Sequence, residues 1–168
     1  MGQLIVLRGN SGSGKSTVAL ELRRLLGPSV AWIEQDHFRR SVFQETTEPD
    51  PLNALAIEQV ATLALAHGRH AIVEGIMPVV RYGEMLRRLI AAHPGRAYCY
   101  YFDIPFAETT RRHATRSKST AFTAEAMREW YLEEDLLGDP HESIIGASSS
   151  LDEIVARVLA ETGLRPAV

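Results

Sequence analysis

With 168 residues, 45% of them hydrophobic and 23% charged, the chain has the size and composition of one globular domain with its own core. A net charge of -3 gives no electrostatic ground for a nucleic acid or an anionic membrane as partner. Cys99 is the single cysteine, which excludes an intrachain disulfide, and its place in the apolar run Tyr98–Phe102 predicts burial rather than reactivity.

Leu4-Ile5-Val6-Leu7 is an apolar, β-favouring run read as a buried strand. It leads into Gly9-Asn10-Ser11-Gly12-Ser13-Gly14-Lys15-Ser16-Thr17, a match to G-x-x-x-x-G-K-[ST]. In that motif backbone N–H groups wrap a phosphate where a strand hands over to a helix. The helix follows from Thr17, with Val18, Leu22, Leu25 and Leu26 on one face and Gly27-Pro28 closing it. The chain enters this strand with no basic region followed by an apolar leader, and no stretch reaches the length of a membrane span, so a cytoplasmic location is expected.

Val30–Glu34 reads as a second strand ending at Gln35-Asp36, and Ser41–Pro51 as largely loop. Asp50-Pro51 is expected to cap a helix from Leu52 to His67, stopped by Gly68. His70–Glu74 is a third strand, followed by a helix with Tyr82, Met85, Leu86, Leu89 and Ile90 at helical spacing. Ala97–Phe102 is apolar enough for a central fourth strand. Asp103-Ile104-Pro105 opens a helix to about Arg116, with Asp103 read as its cap. After the small polar stretch Lys118–Phe122, a helix from Thr123 to near Gly138 is expected to bury Met127, Trp130 and Tyr131. Ser143–Ile145 is a short last strand, and Ser150-Leu151-Asp152-Glu153 is a capping box for a final helix burying Ile154, Val155, Val158 and Leu159.

Strands alternating with helices argue for a three-layer α/β/α domain around a five-stranded parallel sheet, spanning residues 1–168 without a dividing linker. Ligands of such sheets sit beyond the carboxyl ends of the strands, so the residues there are the candidates. Lys15 is placed to reach the β- and γ-phosphates and Ser16 to put its hydroxyl on Mg²⁺, while Thr17 either contacts the α-phosphate or starts the helix. Asp36, at the end of strand two, suits a general base for a substrate hydroxyl, against the structural alternative of a helix N-cap. Arg39 and Arg40 beside it suggest a polar substrate pocket. Glu74, ending strand three, can hold a Mg²⁺ water shell or orient an acceptor, against a purely local role at a strand end. Arg81 is a candidate for the acceptor pocket. Arg112 and Arg116 share a helix face ahead of a polar stretch, which reads as a lid over about 112–122 that brings arginines to the transferring phosphate. His37 and His113 read as polar filler.

On Gly9–Thr17, Asp36, Val73-Glu74-Gly75 and the Arg112/Arg116 pair, the chain resembles the small P-loop kinases related to nucleoside and nucleotide kinases. Within them it looks most like the bacterial small-molecule kinases that include chloramphenicol phosphotransferase, gluconate kinase and the zeta-toxin kinases. The resemblance implies sheet order 2-3-1-4-5, a short helical lid, ATP as donor, Mg²⁺ as cofactor and a small hydroxylated acceptor such as a nucleoside, sugar or antibiotic. It implies base duty for Asp36 and phosphate clamping by Lys15, Arg112 and Arg116. Glu74-Gly75 stands where nucleotide kinases usually carry Asp-Gly. The alternative is a nucleotide-dependent switch or ATPase module with no small-molecule acceptor.

Overall fold

Leu4–Gly9 (β1), Val30–Glu34 (β2), His70–Gly75 (β3), Ala97–Asp103 (β4) and Glu142–Gly146 (β5) pair as one parallel sheet in the order β2-β3-β1-β4-β5. The computed structural model describes residues 1–46, 51–114 and 123–167. All six residues of β1 are buried, as a central strand covered on both faces requires, and this is why it reads as a run rather than an alternation. Leu7 of β1 lies opposite Glu74 of β3, and Glu74 lies opposite Glu34 of β2, so three strands end at one edge.

The helices are Lys15–Leu26 (α1), Gln35–His37 (α2, continued by a π-helical turn Phe38–Val42), Leu52–Ala66 (α3), Val79–Ala91 (α4), Phe106–Ala114 (α5), Ala124–Trp130 (α6) and Leu151–Thr162 (α7). Alternate residues of the central strand feed two cores. Leu4 and Val6 pack under α3 and α4 with Ile57, Ala61 and Leu86, while Ile5 and Leu7 pack under α1 and α7 with Leu22 and Val158. Cys99 is buried in the first core, where burial pushes its thiol pKa far up. Among the described residues no helix is long and apolar enough to cross a membrane.

The capping box of α7 is present: Ser150 Oγ accepts from Glu153 N–H (3.3 Å) and Glu153 Oε2 accepts from Ser150 N–H (2.8 Å). Asp50, expected to cap α3, lies outside the described residues. The cap that is described comes from Glu45, whose carboxylate accepts from the N–H groups of Leu52 (2.6 Å) and Asn53 (3.1 Å).

One expected helix is cut short. α6 ends at Trp130, and the chain runs on from Tyr131 without helix until β5. The reason is a set of polar side chains that capture this segment more tightly than helical bonds would. Asn10 brackets Leu132, its Nδ2 donating to Leu132 O (2.6 Å) and its Oδ1 accepting from Leu132 N–H (2.9 Å). Arg8, wholly buried in β1, donates to Asp135 Oδ2 (2.6 Å), Glu142 Oε1 (2.8 Å) and Met77 O (3.3 Å), and its guanidinium lies 5.0 Å from the Tyr101 ring centroid. Asp135 in turn accepts from Val79 N–H at the start of α4 (3.1 Å), and Glu142 Oε2 accepts from Leu137 N–H (2.6 Å). A buried charge must be paired, and here that demand, met through both terminal nitrogens of Arg8 while its Nε has no partner among the described residues, sets the path of residues 131–139. The expected burial of Met127, Trp130 and Tyr131 holds for Met127 alone: Trp130 is 41% exposed, and Tyr131 is half-buried with its hydroxyl on Ile104 O (3.0 Å).

Candidate active site

The phosphate-binding loop begins where β1 stops, and its shape depends on glycine. Gly12 (φ 78°) and Gly14 (φ 105°) are in the left-handed region. A Cβ on Gly12 would also meet Thr109 O at 2.6 Å, because the loop packs directly on α5. Gly14 O accepts from Thr17 N–H and Val18 N–H (both 3.1 Å), starting α1 two residues before the expected Thr17. The N-terminus of this 12-residue helix therefore faces the loop's concavity, the arrangement that holds phosphate. Lys15 is 5% exposed, and its Nζ donates to Asn10 O (2.8 Å) and Ser13 Oγ (3.2 Å), arching the ammonium across the loop.

Beside Lys15, Ser16 Oγ donates to Glu74 Oε1 (2.9 Å), joining the first turn of α1 to the end of β3. Glu74 is 6% exposed. Burial pushes its pKa above the usual carboxylate value, the Lys15 charge and the Ser16 hydrogen bond oppose that rise, and the Glu34 and Asp36 charges add to it. The next residue, Gly75, has no room for a side chain: a Cβ there would meet Gln35 Cβ at 2.5 Å. Gln35 uses that approach to reach Tyr82 Oη (2.8 Å), which donates to Asn53 Oδ1 (3.0 Å), so a buried polar chain ties α2, α4 and α3 beneath the site.

A cleft of ≈2340 Å³ runs along this edge and gathers Lys15, Ser16, Asp36, Arg39, Glu74 and Arg81 on one wall-to-wall surface, with Arg40 and Thr17 also on its lining. β2 ends at Glu34, so Asp36 occupies the first turn of α2 rather than a strand end or the N-cap position. Its side chain is 62% exposed and accepts from Arg40 Nε (2.6 Å) and Arg39 Nη2 (3.2 Å) through one oxygen, Oδ1. Asp103 ends β4, exposed and outside the cleft lining.

Arg112 of α5 reaches the rim of the phosphate loop. Its Nη1 donates to Ser13 O (3.0 Å), Nη2 to Ala147 O in the β5–α7 connection (3.1 Å) and Nε to Glu108 (2.6 Å). The hydrogen bonds from Arg111 and Arg112 hold the Glu108 carboxyl down at about 2. Arg112 thus spans the phosphate loop and the loop after β5. Arg116 and most of the expected lid lie outside the described residues. Trp130, read from sequence as core, lines the cleft instead.

The donor set suits Mg²⁺. Ser16 hydroxyl and Glu74 carboxylate are adjacent hard oxygens, the first exposed to the cleft and the second buried, and the charge that burial disfavours on Glu74 is one a divalent cation would neutralise. Among the described residues no group of three or more His, Cys, Asp or Glu could hold a metal. One or two protein oxygens supplemented by water and phosphate is the usual magnesium arrangement.

A parallel sheet in this order, with a G-x-x-x-x-G-K-S loop between its central strand and the next helix, defines a P-loop nucleotide-binding fold. The family model described as an AAA domain matches residues 4–132, well over half of the chain, and the chain belongs to that family. No curated protein matches its sequence. Solved structures share its fold at low identity. A sugar kinase from Janibacter sp. HTCC2649 is 16% identical at a TM-score of 0.70, over 97% of this chain and 95% of that one. The Mycobacterium tuberculosis APS kinase in complex with AMPPNP and APS is 18% identical at 0.65, over 97% and 98%. A gluconokinase from Sinorhizobium meliloti 1021 is 20% identical at 0.65, over 96% and 91%.

Proposed function

We propose that this protein is an ATP- and magnesium-dependent phosphotransferase that moves the γ-phosphate to a hydroxyl of a small molecule. The observation that carries the reading is that one cleft holds both the phosphate loop with Lys15 and, across from it, the carboxylate of Asp36 between two arginines. A module that only bound or hydrolysed nucleotide would have no use for this second half. The fold-level likeness to sugar, gluconate and APS kinases supports the same class.

In this mechanism the loop N–H groups and the Lys15 ammonium bind the donor phosphates and meet the charge that spreads over the moving phosphoryl group. Magnesium, when bound, would neutralise charge on the β- and γ-oxygens, with Ser16 and Glu74 holding it. Asp36 accepts a hydrogen bond from the acceptor hydroxyl and takes its proton as the oxygen attacks, while Arg39 and Arg40 fix that carboxylate's orientation. Arg112 holds the phosphate loop and the loop after β5 at the spacing between which the nucleotide base would sit. Residues 1–168 act as one domain, in the cytoplasm, without nucleic acid or membrane.

The test is ADP release from Mg·ATP, measured without acceptor and then across nucleosides, sugars, sugar acids and aminoglycoside-like compounds. Stimulation by one class establishes the phosphotransferase. A slow rate that no acceptor raises would favour the switch or ATPase module.

A further inference from the structure

Among the described residues, the acceptor half of the cleft holds an arginine, Arg81, that none of its carboxylates answers. Three elements contribute to it. Asp36, Arg39 and Arg40 come from α2 and its π-helical extension, Glu45 from the segment after it, and Arg81 from the first turn of α4. Asp36 is shared by Arg39 and Arg40. Glu45 is turned to α3, where its two oxygens accept from Leu52 N–H, Asn53 N–H and Asn53 Nδ2. Glu34 and Glu74 belong to the strand-end side next to Lys15, and Glu129 projects from α6. Among the described residues nothing pairs with Arg81, although it is only partly exposed and lines the cleft.

Arg81 and Arg39 also converge on one spot. Gln35, in the segment that carries Arg39, donates to Tyr82 Oη, and Arg81 precedes Tyr82 in the first turn of α4, so both arginines line the cleft where these two segments meet; both charges also oppose the rise that burial causes in the Tyr82 pKa. That phenol is fixed by Gln35 and Asn53 and cannot swing to follow a ligand. Arg39 is itself held, its Nη1 donating to Thr46 O (3.3 Å) and its Nη2 to Asp36. The result is a rigid floor with one tethered and one uncommitted guanidinium above it. An uncharged polyol would leave Arg81 unanswered, whereas a planar or tetrahedral oxyanion matches a guanidinium fork.

From this arrangement we infer that the phosphate acceptor carries an anionic group of its own, a carboxylate, phosphate or sulfate, bound between Arg81 and Arg39 while its hydroxyl faces Asp36. The inference rests on the phosphotransferase reading for the hydroxyl and on the two arginines for the anion.

Binding and turnover are measured separately, so that the two can fail separately. D-gluconate, glucose 6-phosphate and glucose 6-sulfate are titrated against the neutral D-glucitol into AMPPNP-loaded wild type, Arg81→Gln and Arg81→Lys, followed by calorimetry. At least one anion is expected to bind wild type more tightly than glucitol. Arg81→Gln should weaken that anion about 10- to 100-fold, the effect of losing hydrogen bonds to a charged group. Arg81→Lys should restore part of it, and rising salt should weaken wild type more than Arg81→Gln. The three anions distinguish carboxylate from phosphate and sulfate recognition. Anion binding together with ADP release that no acceptor of the whole screen raises would leave the anion site standing and remove the kinase reading. Turnover of glucitol as efficiently as of every anion, or anion affinities that Arg81→Gln leaves unchanged, would overturn the anion site and leave the kinase reading intact.

Discussion

Replacing Glu74 by Gln should make the nucleotide-free protein more stable and the enzyme worse. The carboxylate is 6% exposed and has Ser16 Oγ at 2.9 Å and the Lys15 charge as its stabilising neighbours. Burying an ion costs several kcal/mol, and one charge-assisted hydrogen bond with a nearby ammonium returns most of it, leaving a net cost of about 1 kcal/mol. Gln keeps the shape and an oxygen for Ser16 but removes the charge. For a domain of this size about 1 kcal/mol corresponds to roughly 2–4 °C in Tm. The pH dependence has a definite sign. Folding raises the Glu74 pKa, so the folded state holds this proton more tightly than the unfolded chain does. The stability linked to it is complete below the ordinary value of 4.5 and is lost as the pH rises through the higher folded value. Thermal unfolding followed by circular dichroism between pH 4.5 and 8 should therefore show the Gln variant above wild type at pH 7, with the gap closing as the pH falls. Adding AMPPNP with Mg²⁺ should raise the Tm of wild type more than that of the variant. A Gln variant less stable than wild type at pH 7, or one that gains as much from Mg·AMPPNP, would refute the assignment of Glu74 as a destabilised, metal-facing carboxylate.

Arg8→Met should cost about 3 kcal/mol by leaving the Glu142 and the part-buried Asp135 carboxylates without their counter-ion, read as a lower urea midpoint. Asp135, already pushed up by burial, loses the Arg8 charge that opposes the rise, so the deficit should widen as the pH increases. A change under about 1 kcal/mol would mean that the cluster does not hold the 131–139 segment. Lys15→Ala should abolish acceptor-dependent ADP release while leaving the far-ultraviolet spectrum unchanged; turnover near the wild-type rate would remove the phosphate loop from the chemistry.

Much of the fold was legible because its signals are local. The run Leu4–Leu7, the glycine-rich loop and the apolar stripe of α1 each specify their own structure, and Ser150 with Glu153 announces α7. The sheet order came from resemblance, since strand adjacency across long crossovers leaves no local trace. The misread stretch is 131–139. Its helical period is plausible in isolation, and the groups that override it, Asn10 and Arg8, lie more than a hundred residues away. An arginine inside an otherwise apolar central strand was the available signal, because such a residue must find buried carboxylates somewhere. Trp130 was misplaced for the same reason: once α6 stops, the tryptophan faces the cleft rather than a core. In the site, sequence pointed to Glu74 at the end of β3 and to Asp36, which the structure sets in the first turn of α2 rather than at a strand end, but the pairing of Glu74 with Ser16 and of Asp36 with Arg39 and Arg40 is three-dimensional information.

The most direct test of the central claim is the rate of acceptor-dependent ADP release by Asp36→Asn, measured beside AMPPNP affinity, with the best acceptor from the screen. Loss of a positioned general base should lower kcat about 10²- to 10⁴-fold, with AMPPNP binding as tight as in wild type. Transfer at a near-wild-type rate would contradict the assignment of Asp36 and with it the two-substrate cleft.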